Sequence, residues 1–93
     1  MDMSTLDKQF TAILQNGKKK GSWTYVSWSG SVNFFGTRGL VKIRGTINGR
    51  PFRGSFMAMG GGKHMLPVKA EIRKVIGKEA GQRVTVHLKE RLD

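Results

Sequence analysis

From Phe10 onward the hydrophobic positions mark out a series of short alternating runs. Phe10, Ala12 and Leu14 alternate with Thr11 and Ile13, which predicts a strand carrying apolar side chains on both faces. Asn16-Gly17-Lys18-Lys19-Lys20-Gly21 joins turn formers to a charge run and predicts a hairpin loop. Trp23 to Trp28 is rich in aromatic and β-branched residues and predicts the return strand. Ser29 to Gly36 mixes small residues with Val32, Phe34 and Phe35, and reads as a short turn of helix or a cap over a barrel end.

The clearest local signal lies between Arg38 and Met59. Asn48-Gly49 separates two strand-like runs, and this pair is the preferred chemistry for a two-residue type I′ turn, in which both central residues need positive φ. Such a turn sets the register. Ile47 then faces Arg50, and on one side of the hairpin Gly45 meets Phe52, Ile43 meets Gly54 and Val41 meets Phe56. Small residues fall opposite large ones, as a curved core face requires. The other side carries Thr46 opposite Pro51, Arg44 opposite Arg53 and Lys42 opposite Ser55.

Gly60-Gly61-Gly62 ends that strand, and Lys63 to Leu66 predicts a short one. Pro67 suits the first turn of a helix, where a missing N–H costs nothing. Val68, Ile72, Val75 and Ile76 recur at helical spacing, Lys69, Arg73 and Lys74 lie off that stripe, and Gly77 supplies the stop. Val84, Val86 and Leu88 alternate with Arg83, Thr85 and His87 in a last strand. The expectation is a mostly β chain: one domain over residues 1–93, with residues 1–8 flexible. About six strands and one short helix would form a small closed β-barrel with no exposed edge.

Composition narrows the class. The chain has 93 residues, 38% of them hydrophobic, which supports a folded domain with a modest core. The absence of cysteine removes disulfide staples and cysteine-based zinc sites and favours a reducing compartment. Met1-Asp2-Met3-Ser4-Thr5 lacks the basic start and apolar run of a signal peptide, and no apolar stretch nears the ~20 residues of a membrane helix. A cytoplasmic protein that avoids membranes is expected. Lysine and arginine total 17 against 6 acidic residues, a net charge of +11. That excess favours anionic partners, with solubility as the plainer reading.

Several of these segments together carry a family likeness. His64-Met65-Leu66-Pro67-Val68-Lys69-Ala70, followed by Ile72-Arg73-Lys74, Gly77, Gly81 and Val84, resembles a bacterial domain-of-unknown-function family (nineteen-oh-five). So do Gly21-Ser22-Trp23, Gly36-Thr37-Arg38-Gly39 and Thr46-Ile47-Asn48-Gly49, so that the likeness runs from about Phe10 to Leu88. It departs in Ser27 to Phe35, which lacks an expected proline, and at Gln82, where aspartate is usual. The resemblance implies a double-split β-barrel, a fold class shared with swapped-hairpin transcription factors, and implies no activity. The tail also resembles those factors in the spacing of Arg73, Gly77, Gly81 and Val84, although Pro67 lies two residues further from the arginine than their pattern has it. Fold kinship alone does not transfer function.

The candidate chemistry is electrostatic. Arg44 opposite Arg53, with Lys42 beside them, places like charges across a strand pair, which destabilises it unless an anion sits there. The alternative has the guanidinium groups splayed into water and screened by salt. Lys18, Lys19 and Lys20 fit either a phosphate-contacting finger or a solvated turn. Gly60, Gly61, Gly62, Lys63 and His64 fail the phosphate-loop pattern but suit a loop bordering the barrel mouth that offers N–H groups to an anion, or a merely permissive connection. Trp23, Tyr25 and Trp28 suit either base stacking or the core. Two histidines and few carboxylates give neither a metal set nor an acid–base pair, so no enzyme, metal or cofactor is expected. The expected function is a non-enzymatic domain binding nucleic acid or another polyanion. The alternatives are a structural or interaction module with an acidic protein partner, and a small-ligand pocket at the barrel end. Oligomeric state is not legible.

Overall fold

The Asn48-Gly49 turn forms as its chemistry requires, with φ of 49° and 81°. It joins β4 (Val41–Ile47) to β5 (Arg50–Ala58), and their register runs from Ile47↔Arg50 through Arg44↔Arg53 to Val41↔Phe56, as read from the sequence. The turn is also anchored at a distance. Asn48 Oδ1 accepts the Thr85 N–H and the Asn48 N–H donates to the Thr85 carbonyl, both at 2.8 Å. The molecule is represented by a computed structural model that describes residues 4–17, 23–59, 61 and 63–92.

Around this hairpin stand β1 (Ser4–Ile13), β2 (Gln15–Asn16), β3 (Thr24–Val26), β6 (His64–Pro67) and β7 (Arg83–Arg91). The sheet order is β1-β7-β4-β5-β6-β3-β2, with antiparallel pairing throughout. Two short helices complete the described chain, α1 (Ser31–Phe35) and α2 (Ala70–Ile76).

The expectation of a closed barrel of about six strands and one helix is corrected to a curled half-barrel of seven strands and two helices. The extra strand arises at Leu14, which divides the N-terminal run so that β1 pairs with β7 and β2 with β3. Leu14 is pinned at this break. Its N–H donates to the Gln82 carbonyl at 2.9 Å, its carbonyl accepts the Gly81 N–H at 2.8 Å, and its side chain is buried. The β2–β3 ladder has only two residue pairs, Gln15↔Tyr25 and Asn16↔Thr24, too short to build a full wall at that end. Residues 4–8, expected within a flexible start, are strand instead, because the nine-residue β7 offers them a partner with Ser4↔Arg91, Thr5↔Glu90 and Lys8↔Leu88.

The concave face holds the core. Val41, Ile43 and Ile47 of β4, Phe56 of β5, Leu66 of β6, and Val86 and Leu88 of β7 are fully buried, and Val84 is nearly so. The pairing of small against large works as expected at Gly54, whose missing Cβ space is taken by the Phe52 ring and Leu66 Cδ1. Gly45 answers a tighter demand. β4 shifts register against β7 between Arg44 and Gly45, and a Cβ on Gly45 would lie 2.0 Å from the His87 carbonyl oxygen. Only glycine admits that approach of two backbones.

The segment 29–36 resolves into a cap. Within α1, Phe35 is buried against Phe56 at 5.2 Å between ring centroids, and Trp28 stacks on Phe10 at 4.8 Å. The second helix begins later than expected. Pro67 is the last residue of β6, and Val68, whose N–H donates to the Thr24 carbonyl, prolongs the extended run before Ala70. Ile72 and Ile76 pack on the core, whereas Val75, read as part of the apolar stripe, is exposed. Gly77 ends the helix with φ of 69°, as its position suggests.

Candidate anion-binding groove

Strand alternation turns Lys42, Arg44, Arg53 and Ser55 away from the core. α2 lies against β5, and a groove of about 680 Å³ runs between the helix and the hairpin. Lys42 of β4, Arg53 of β5, and Lys69 and Arg73 of the α2 region all line it. None of the described lining residues is acidic. The floor is apolar, contributed by Met57, Val68, Ile72 and Leu92, and the half-exposed indole of Trp23 stands at the groove as well.

Local structure explains each placement. Ile72 must turn inward to the core, which carries its neighbour Arg73 to the groove. Arg73 Nε donates to the Val68 carbonyl at 3.1 Å, which fixes the side chain at the groove. Trp23 is set by a bond from the Gly17 N–H to its carbonyl at 3.1 Å, just before β3 begins. The Leu92 N–H donates to the Lys42 carbonyl at 2.8 Å and brings the end of β7 to the same place.

The expected basic strip is divided by this arrangement. Lys42 and Arg53 enter the groove, but Arg44 is held by β7, its Nε donating to Glu90 Oε1 at 2.8 Å. Glu90 therefore relieves the repulsion between Arg44 and Arg53, which the hairpin alone leaves unanswered. Lys18, Lys19 and Lys20 lie outside the described residues, as do Gly60 and Gly62. Gly61, at φ of 64°, belongs to the turn between β5 and β6, closed by the Met59 N–H on the Lys63 carbonyl at 3.0 Å.

His64 departs furthest from its expected place. It begins β6 rather than bordering a loop, and it is buried. Its Nε2 lies 2.9 Å from the Gly39 carbonyl and must donate to it, while Nδ1 pairs with the Ser31 hydroxyl at 3.0 Å. Both ring nitrogens are thus occupied inside the fold. His87 and Asp7, far apart in sequence, meet through the β1–β7 pairing at 2.7 Å, with the carboxylate side chain 91% exposed. Such a contact is a surface hydrogen bond without an enclosed site around it. Among the described residues no group of three or more His, Asp or Glu is placed to hold a metal ion.

Lys69, Arg73 and Trp23 are the groove residues that sequence reasoning did not assemble. The four-residue step from Lys69 to Arg73 places both on one side of a helix turn, a usable signal, but nothing local says which strands that side will face. Tyr25 and Trp28 do not join them. Trp28 is enclosed by Phe10, Phe34 and Phe35, with the Lys8 ammonium 5.6 Å above its ring. Tyr25 is half-buried on β3.

Residues 10–88 match the family model described as a domain of unknown function (DUF1905), and the chain belongs to that family. No curated protein matches the chain. Among the described residues no helix is long and apolar enough to cross a membrane.

Proposed function

We propose that this DUF1905 domain is a non-enzymatic, cytoplasmic binding module that docks nucleic acid through the groove between α2 and the β4–β5 hairpin. One observation carries the reading: basic side chains from β4, β5 and the α2 region converge on a single opening whose described lining holds no acid. Arg53, Lys69 and Arg73 gathered at one opening repel one another, and an anionic partner offsets that repulsion. The overall charge of +11 extends the attraction beyond the groove.

Fluorescence anisotropy of labelled oligonucleotides at 50 and 200 mM salt tests this. Three or four phosphate contacts on a single strand release enough counterions for affinity to fall about 20- to 50-fold over that range. Arg53→Glu with Arg73→Glu removes binding while circular dichroism shows the β fold retained. No binding of single strand or duplex at 50 mM salt overturns the proposal.

A further inference from the structure

We infer that the groove accommodates one nucleotide unit of a single strand, its base against Trp23 and the apolar floor and its phosphate on Arg53, Lys69 and Arg73. This rests on the reading above and narrows it from nucleic acid in general to a strand with unpaired bases. A site for phosphate alone has no use for an apolar floor, since hydrated phosphodiesters gain nothing from it. Here Met57, Val68 and Ile72 line the same groove as the cations. The ligand that satisfies both parts carries a flat apolar group within one or two bonds of a sugar phosphate.

Trp23 supplies the second element. Its side chain is 54% exposed, among the most exposed large hydrophobic residues in the described chain, and it stands at the groove rather than in the aromatic cap. An exposed indole beside arginines is the surface on which unpaired bases stack, with Arg adding a cation–π component. Size agrees. About 680 Å³ falls within the ~300–1,000 Å³ of small-molecule sites, enough for a nucleoside phosphate. A duplex keeps its bases stacked inside and offers the floor only sugar and phosphate, so it leaves the apolar part of the site unused. A strand rather than a free nucleotide is favoured by charge, because the +11 excess is far larger than one phosphate requires.

The experiment compares ligands of equal charge. Labelled decathymidylate, an abasic decamer with the same phosphates, and a duplex are titrated at 50 mM salt, with thymidine monophosphate and a polyglutamate peptide as competitors. The expected result is at least fivefold tighter binding of decathymidylate than of the abasic strand, within the roughly 5- to 150-fold range of one stacked base. Trp23→Ala abolishes that preference and leaves abasic binding unchanged, and Trp23→Phe restores part of it. Because Trp23 is exposed, thermal melts of both variants matching the parent show that the loss is not one of folding. Equal affinity for the abasic strand and decathymidylate overturns the base site and leaves the nucleic-acid reading standing. Failure of every strand to bind overturns both. Competition by thymidine monophosphate at concentrations equal to decathymidylate overturns the strand assignment, and equal competition by polyglutamate overturns nucleic acid as the occupant.

Discussion

Gly45→Ala tests the packing of β4 on β7 more sharply than any core truncation. A Cβ at this position would sit 2.0 Å from the His87 carbonyl oxygen, 3.0 Å from its carbon and 3.1 Å from the Leu88 Cα. All three are backbone atoms, so no rotamer change relieves the contact. Reaching even 3.0 Å from the oxygen needs the strands to part by about 1 Å at a point flanked by the Arg44↔Glu90 and Thr46↔His87 pairs and by the fully buried Val86 and Leu88. Overpacking of this kind costs roughly 1–3 kcal/mol, and a weakened ladder bond adds about 1 kcal/mol. We expect a loss of about 3 kcal/mol, or about 12 to 24 °C in Tm for a domain of this size. Urea unfolding followed by tryptophan fluorescence and far-ultraviolet circular dichroism measures it. Two other glycines calibrate the result. Gly54→Ala meets only the ends of the Phe52 and Leu66 side chains at 3.2 Å, which can shift, and should cost about 1 kcal/mol. Gly39→Ala meets Thr37 Oγ1 at an ordinary 3.4 Å and should change stability by less than about 0.5 kcal/mol. A Gly45→Ala protein within about 1 kcal/mol of the parent would show that the close approach of β4 and β7 is not as described.

Two further substitutions address contacts that the sheet brings together. Glu90→Gln removes the charge of Arg44's partner and should destabilise the protein by about 0.5–1 kcal/mol at low salt, much less in 1 M salt. On an Arg44→Thr background the same change should have almost no effect, and equal losses on both backgrounds would refute the coupling. His64→Leu strips the Gly39 carbonyl and the Ser31 hydroxyl of their buried partner and should cost about 2–3 kcal/mol in a urea titration. A His64→Leu protein as stable as the parent would refute a structural role for that histidine.

Legibility in the sequence follows the range of the forces involved. The β4–β5 hairpin is written in two adjacent residues, because the positive φ that Asn48 and Gly49 accept selects one turn, and one turn sets every pair along both strands. Gly77 as a helix stop and the inward Val84, Val86 and Leu88 are equally local, resting on backbone permissiveness and on a period of two. The family likeness over residues 10–88 is legible for the same reason, since it is carried by short local segments such as residues 64–70 and 46–49 and by the glycines between them. What the tertiary structure decided depends on segments distant in the chain. Leu14 ends a strand because residues 81 and 82 bond both its backbone groups, and nothing around Leu14 announces that. Arg44 is paired with Glu90, on a strand more than forty residues later, and His64 is held inside by Ser31 and Gly39. The groove itself forms where α2, packed on the core through Ile72, brings Arg73 to an opening that Arg53 also lines. Composition determined that this protein carries a large positive charge; only the pairing of strands, which no local rule foresees, decided where that charge meets an apolar surface and an exposed indole.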